Sequence, residues 1–125
     1  MKLLIDTHVL LWWLDDPVLL SVAAADAIAD PANDVLVSTA VVWEMVIKAG
    51  LGKLAIPADI DNVVQQSNFR YLPVSATHAL AIRDLPDHHR DPFDRMLVAQ
   101  AVVESATLIT RDSNILQYPA TCLEA

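Results

Sequence analysis

Short, continuously apolar runs alternate along the chain with longer segments in which apolar residues recur at helical spacing. The runs at residues 3–5, 35–37 and 107–110 are rich in Leu, Ile and Val, which predicts strands that are buried on both faces. Weaker strands are predicted at residues 71–74, where Pro73 favours a sheet edge, and at residues 121–123. The pattern therefore predicts a sheet of about four to five strands.

Helical segments separate these strands, and capping residues and prolines mark their ends. They cover residues 7–14, 21–30, 40–49, 59–67, 75–85 and 92–103. The clearest one begins with Asp91 as its cap and Pro92 at its first position, while Gly50 and Gly52 close the helix at residues 40–49. Strands that alternate with helices through short joins indicate an α/β fold, with helices on both faces of a mostly parallel sheet.

Length and charge narrow the possible functions. The 125 residues, of which 54% are hydrophobic, are enough for one domain, and we expect a single domain over residues 1–125. Eight Lys and Arg stand against sixteen Asp and Glu, so the formal net charge is −8. A nucleic acid would be repelled by the whole molecule, so any such contact has to be local.

The cysteine content and the hydropathy pattern bear on the cellular compartment. Cys122 is the only cysteine, which excludes an intrachain disulfide and a cluster of thiolate ligands, and suits a reducing interior. Asp6 interrupts the first apolar run too early for a secretory signal, and no uncharged stretch is long enough to cross a membrane. We therefore expect a cytoplasmic protein.

Acidic residues follow the predicted strands at places where an α/β sheet collects its ligands. Asp6 and Asp112 come just after strands 3–5 and 107–110, so their carboxylates meet at one sheet edge if the two strands are neighbours. Asp94 lies in the first turn of its helix, on the same face as the apolar residues Leu97 and Val98, and so points toward the sheet.

Glu44 lies in an otherwise apolar helix. The sequence AVVWEMVIKA is apolar except at Glu44 and Lys48, which predicts a mostly enclosed helix whose buried acid needs a partner. A cluster of such acids repels itself unless a divalent cation neutralises it, and oxygen ligands favour Mg²⁺ or Mn²⁺. Metal-assisted phosphodiester cleavage is the chemistry that uses such a site.

Each acid also has an ordinary structural explanation, and these alternatives remain open at this point. They are helix caps at Asp6 and Asp112, a capping box that pairs Asp94 with Asp91, and an ion pair of Glu44 with Lys48 four residues later.

Four separated blocks resemble a known family in order and spacing across nearly the whole chain. The blocks LLIDTHVLLWWL, VSTAVVWEMVIKAGLGKL, HHRDPFDRMLVAQA and TLITRDSNI resemble the PIN-domain toxins of the VapC type. The resemblance implies an α/β/α sandwich around a parallel sheet, an endoribonuclease dependent on Mg²⁺ or Mn²⁺, and the toxic half of a type II toxin-antitoxin pair. It also implies a homodimer and an antitoxin whose tail enters the acidic site.

The resemblance assigns roles to residues of this chain. The family's catalytic acids correspond to Asp6, Glu44, Asp94 and Asp112. Asp6, Asp94 and Asp112 are expected to hold the metal, while Glu44 holds or orients a second ion or the attacking water. Supporting roles are expected for the hydroxyls of Thr7 and Thr110, for Lys48 beside Glu44, and for Asp91 as the helix cap that positions Asp94.

Basic residues flank these acids and form a local cationic rim. They are Arg90, Arg95 and Arg111, with His88 and His89. We expect the three arginines to contact RNA phosphates, and the alternative is that they only screen neighbouring acids. His8 and His78 are predicted to be partly buried helix residues and are not counted as metal ligands.

Two rival functions remain. A phosphatase with an aspartate nucleophile would use the first strand in the same way, but its common signature has a second acid two residues later, where this chain has His8. A binding module derived from a nuclease would keep the acids for its fold or for a basic partner. Metal binding would distinguish the nuclease from the binding module. A phosphoryl group trapped on Asp6 would identify the phosphatase.

Overall fold

Five parallel strands form the central sheet in the computed structural model, which describes residues 1–87 and 91–125. Their order across the sheet is β3-β2-β1-β4-β5, and every neighbouring pair is parallel. The strands are β1 (Lys2–Ile5), β2 (Asp34–Ser38), β3 (Arg70–Leu72), β4 (Thr107–Thr110) and β5 (Cys122–Glu124). The predicted α/β fold with a parallel sheet is therefore confirmed.

Seven α-helices in the described residues connect and flank these strands. They are α1 (Thr7–Asp15), α2 (Val22–Ala29), α3 (Thr39–Gly50), α4 (Ile60–Gln66), α5 (Ala76–Ala81), α6 (Pro92–Glu104) and α7 (Ser113–Leu116). Two short 3-10 helices lie at Pro17–Leu19 and Ile82–Asp84. Within the described ranges, none of the helices has the length and hydrophobicity needed to cross a membrane.

The central strand β1 lies between β2 and β4. Leu3, Leu4 and Ile5 are fully buried, because both faces of a central parallel strand are covered by helices. In the register of the sheet, Ile5 lies beside Val37 of β2 and Ile109 of β4. The carboxyl ends of β1, β2 and β4 therefore reach the same edge of the sheet, each followed directly by a turn into a helix.

Most predicted boundaries agree with the structure to within one residue, and the larger differences lie next to prolines. Strand β3 ends at Leu72, one residue before Pro73, which has no N–H to donate to a sheet. The last strand begins at Cys122 instead of residue 121. The helix predicted at residues 75–85 ends at Ala81 and tightens into 3-10 geometry, because Pro86 favours an extended Leu85, whose ψ is 141°.

The expectation that helix α3 is mostly enclosed is wrong. Its buried stripe includes Glu44 and Met45, but Trp43, Val46 and Ile47 are 64%, 57% and 38% exposed. Only one side of the helix packs on the rest of the molecule, and apolar residues on the other side carry no periodic signal of their exposure. Glu44 nevertheless lies on the packed side, so its buried carboxylate still needs polar partners.

Ser105 offers a test of backbone strain at the end of α6. It adopts the left-handed region at φ 53°, which glycine occupies without a steric penalty. We expect Ser105→Gly to raise the free energy of unfolding by about 0.5–1 kcal/mol, measured by urea denaturation. Ser67 also ends a helix, but at φ −78°. Ser67→Gly is the matched control and should destabilise the protein, and equal effects of both changes would contradict the explanation.

Candidate active site

A cleft of about 420 Å³ opens where the carboxyl ends of β1 and β4 meet helices α3 and α6. All four of the predicted catalytic acids line it. The lining residues are Asp6, Thr7, His8, Trp12, Glu44, Lys48, Asp91, Asp94, Arg111 and Asp112. Residues far apart in sequence thus converge on one depression, as expected for a ligand site in a parallel sheet.

Asp6 lies at the bottom of this cleft and is only 7% exposed. It caps helix α1, because its Oδ1 accepts a hydrogen bond from the Val9 N–H at 2.9 Å. The Thr110 hydroxyl donates to its Oδ2 at 2.6 Å. Burial raises the pKa of the Asp6 carboxyl above its ordinary value of 3.8, while these two hydrogen bonds oppose the shift. Helix capping and a place in the site therefore coexist at this residue.

Asp112 reaches the same cleft from the neighbouring strand. It caps helix α7, with its Oδ1 accepting from the Asn114 N–H at 2.9 Å. Its own N–H donates to the Thr110 hydroxyl oxygen at 3.1 Å. Thr110 thus connects Asp112 to Asp6, which is the kind of supporting contact expected of a hydroxyl behind a metal ligand. Because β1 and β4 are adjacent, the predicted meeting of Asp6 and Asp112 at one sheet edge is observed.

The third acid, Asp94, is positioned by the start of helix α6. Asp91 caps this helix, as predicted, since its Oδ1 accepts from the N–H groups of Phe93 and Asp94 at 2.8 and 3.2 Å. Asp94 follows in the first turn and lines the cleft. The apolar face of the helix, with Leu97 and Val98 buried, turns this side of α6 inward as the spacing predicts.

Glu44 enters the cleft from helix α3 with both of its oxygens engaged. The Thr7 hydroxyl donates to Oε1 at 2.5 Å, and the Lys48 Nζ lies 3.0 Å from Oε2. The hydrogen bond to Glu44 raises the pKa of Lys48. The predicted pairing of Glu44 with Lys48 is thus present, and the Thr7 contact supplies the second partner of a buried acid.

The three predicted phosphate-binding arginines have different surroundings. Arg95 donates to the carbonyl oxygens of Pro86 and Ile82 at 3.0 and 3.2 Å, so it braces the segment before α6 and is not among the described lining of the cleft. Arg111 does line the cleft, but its Nε and one Nη both donate to the main-chain oxygen of Ala125, at 2.9 and 2.8 Å. Arg90 lies outside the described residues, as do His88 and His89.

Two cleft residues, His8 and Trp12, were not identified as site residues from the sequence. His8 was expected to be partly buried, but it is exposed and lies at the mouth of the cleft. Trp12 is half-buried beside it, with the two ring centroids 5.9 Å apart. Their spacing of four residues along α1, beginning two residues after Asp6, is the signal that places them on the same side of the helix.

The donor chemistry of the cleft fits Mg²⁺ or Mn²⁺. Carboxylates are the oxygen ligands that these ions prefer, and hydroxyls hold two of the carboxylates from behind. Within residues 1–87 and 91–125, however, no three His, Cys, Asp or Glu side chains are grouped closely enough to form a ready metal site. The acids share one cleft without forming a closed cage.

Comparisons with known proteins agree with this geometry. A family model described as PIN domain matches residues 3–120 of the chain. Ribonuclease VapC22 from Mycobacterium tuberculosis is 28% identical over 118 residues, which cover 92% of this chain and 90% of that protein.

Two solved structures show the same fold. One is VapBC2 from Rickettsia felis bound to a DNA fragment from their promoter, with a TM-score of 0.74, 15% identity, and coverage of 100% of this chain and 99% of that chain. The other is VapBC-5 from Mycobacterium tuberculosis, a member of the VapBC family of toxin-antitoxin systems. It has a TM-score of 0.57 and 19% identity, and covers 98% of this chain and 96% of that chain. At these identities, the likeness describes the fold alone.

Proposed function

The chain belongs to the PIN domain family, and from this membership we propose that it is a metal-dependent endoribonuclease that acts as the toxin of a toxin-antitoxin pair. The observation that carries the proposal is the convergence of Asp6, Glu44, Asp94 and Asp112 on one cleft. The similarity to a relative named as a ribonuclease, over almost the full length of both chains, supports the same activity.

Each acid has a role in this proposal. Asp6, Asp94 and Asp112 hold Mg²⁺ or Mn²⁺, which supplies Lewis-acid activation of water and stabilises the leaving oxygen when bound. Thr110 keeps Asp6 and Asp112 in register through its two hydrogen bonds. Glu44 is held by Thr7 and Lys48, and it orients the attacking water or a second ion.

The proposed partner is an antitoxin encoded with this chain. VapBC-5 is described as a toxin-antitoxin system, and a basic segment of a partner protein would find electrostatic complementarity in the acidic cleft of a chain with net charge −8.

We also propose a homodimer, which would cover apolar side chains such as Trp43 and Val46 that are more than half exposed. We also propose a cytoplasmic location.

Cleavage of RNA by the purified chain tests this function. We expect cleavage with Mg²⁺ or Mn²⁺, none with excess chelator, and recovery when the metal is restored. Asp94→Asn should reduce the rate at least about 100-fold, the scale of losing one preorganised electrostatic group. Arg95→Ala is the control, because Arg95 is not among the described residues that line the cleft. The affinity of this variant for Mg²⁺ or Mn²⁺ should equal that of the wild type.

Three results would point elsewhere. Cleavage that persists in chelator, with no contaminating nuclease, would refute metal dependence. A phosphoryl group trapped on Asp6 would identify an aspartate-nucleophile phosphatase. Calorimetry that detects no binding of Mn²⁺ or Mg²⁺ would favour a catalytically silent binding module.

A further inference from the structure

One wall of the acidic cleft is aromatic. His8 and Trp12 lie on successive turns of α1, with their ring centroids 5.9 Å apart and their planes inclined by 31°. Both line the acidic cleft, and both also line a second groove of about 540 Å³. We call this pair the His8–Trp12 wall. It therefore stands between the acids and the adjoining groove.

Trp12 is held in place by Arg111. The guanidinium carbon of Arg111 lies 4.4 Å from the centroid of a Trp12 ring, which is a cation–π contact. Arg111 is itself fixed by hydrogen bonds to the main-chain oxygens of Ala125 and Leu19. Because Nε and one Nη of Arg111 donate to these main-chain oxygens, the arginine orients the indole. It is therefore less suited to the phosphate contact predicted from the sequence.

The groove beyond the wall has a surface that suits an uncharged group. Apolar side chains line most of it, including Leu11, Leu54 and Ile56, and Asp15 and Asp16 are also part of its lining. Its described lining has no lysine or arginine. A phosphate would be repelled by the two acids, whereas a nucleobase has no charge and gains from contact with apolar and aromatic surface.

We propose that the His8–Trp12 wall stacks the base of a nucleotide next to the scissile phosphate. The inference rests on the proposed endoribonuclease function, which places the reacting phosphate against the acids of the cleft. The neighbouring base is only a few bonds from that phosphate, close enough to reach the wall between the cleft and the groove. His8 and Trp12 are the aromatic residues of the described lining. Proteins recognise unpaired RNA bases by stacking them on aromatic side chains.

Steady-state cleavage of a short RNA with a single cut site tests the wall. His8→Ala should raise KM about tenfold, since removal of one aromatic stacking partner costs about 1–3 kcal/mol, while kcat stays within about twofold. His8→Phe keeps a flat ring and should restore most of the wild-type KM. The exposure of His8 makes either change compatible with the fold, which thermal denaturation will verify.

The neighbouring tryptophans offer a matched pair. Trp12→Leu should raise KM like His8→Ala. Trp13 is also half-buried, but it packs against Phe69, with ring centroids 6.1 Å apart. Trp13→Leu should therefore lower thermal stability without changing KM.

RNA that carries an abasic nucleotide on one side of the cut separates stacking from a structural effect. At one of the two flanking positions, the abasic RNA should raise the KM of the wild type as much as His8→Ala does with intact RNA. The His8→Ala variant acting on this abasic RNA should show no further rise in KM. If His8→Ala impairs intact and abasic RNA equally, or if KM does not change, the inference is overturned. If a basic peptide binds with a His8-dependent affinity while RNA cleavage ignores His8, the wall serves a protein partner and the inference is also overturned. In each of these cases the wild type still cuts RNA, whereas a wild type that cuts none refutes the proposed function itself.

Discussion

Replacement of Asp6 by Asn is expected to slow cleavage strongly and, at the same time, to make the metal-free protein more stable. Asn caps helices about as well as Asp, so its carbonyl oxygen can keep the hydrogen bond from the Val9 N–H. The change removes a charge that is almost completely buried. It also places an amide donor where Oδ2 accepts from the Thr110 hydroxyl, so this hydroxyl oxygen has to accept instead. We expect the rate to fall at least about 100-fold and the Tm to rise by a few degrees.

The sign of the stability change follows from the pKa. Burial raises the pKa of Asp6 in the folded protein above 3.8, so the folded chain binds this proton more tightly than the unfolded chain does. The residue therefore stabilises the fold below pH 3.8, and this contribution is lost as the pH rises through the folded pKa. At neutral pH the ionised carboxylate reduces stability, and Asn avoids that cost.

Thermal denaturation in chelator, from neutral to acidic pH, measures this effect. The Tm difference between Asp6→Asn and the wild type should be largest at neutral pH and should shrink as Asp6 becomes protonated. Asp112→Asn is the matched control, because Asp112 also caps a helix in the cleft but is less buried. The Tm of Asp112→Asn should change less than that of Asp6→Asn. A less stable Asp6→Asn protein at neutral pH would contradict the argument.

Added metal should reverse the order of stabilities. A cation that binds only the folded state stabilises it by mass action. Mn²⁺ should therefore raise the Tm of the wild type and leave that of Asp6→Asn nearly unchanged. The site would then be a place where the protein gives up stability in the metal-free state in order to bind the ion.

The sequence predicts the sheet well because the burial of its strands is two-sided. Leu3, Leu4 and Ile5 form a run without polar interruption, and such a run fits a central parallel strand better than a strand with one wet face. The same logic locates β2 and β4. The positions of Asp6 and Asp112 follow from where β1 and β4 end. The order of the strands is a tertiary property, so the meeting of the two acids was conditional until β1 was found beside β4.

The exposed side of α3 was beyond sequence reasoning. Trp43, Val46 and Ile47 are as apolar as the residues that pack inward, so the pattern contains no polar face to mark the surface. A helix that is apolar all round is usually enclosed, and here the enclosure would have to come from another molecule. The direction of the Arg95 side chain was also beyond sequence reasoning. Arg95 stands one residue from Asp94, but adjacent helix positions point about 100° apart, and its guanidinium turns to backbone carbonyls.

Helix capping and a position in the cleft are not alternatives for Asp6 and Asp112. Asp6 and Asp112 each cap a helix with one oxygen and still line the cleft. A strand that ends in a helix cap brings the capping side chain to the carboxyl edge of the sheet, so a capping residue lies where the proposed chemistry uses an acid. Capping preference alone could not reveal the site, because a single capped helix looks the same in either case.

Glu44→Gln should separate the two kinds of acid in the cleft. Gln keeps an acceptor for the Thr7 hydroxyl, whose bond to Glu44 is 2.5 Å long, but it loses the charge that pairs with Lys48. We expect kcat to fall about 100-fold, the scale of a general base or a water-orienting group, while Mn²⁺ affinity stays within about threefold of the wild type. Asp6→Asn should instead lose both, because Asp6 is proposed as a direct ligand.

Lys48→Met is the matched control for this prediction. It removes the cation but leaves Glu44 held by Thr7, so the loss of kcat should be much smaller than for Glu44→Gln. Lys48→Met should lower stability, because it leaves the charge of Glu44, whose side chain is only 7% exposed, without its cation. Isothermal titration with Mn²⁺ decides the role. If Glu44→Gln loses metal affinity as strongly as Asp6→Asn, then Glu44 is a ligand of the same ion, and the division between three metal-holding acids and one orienting acid is wrong.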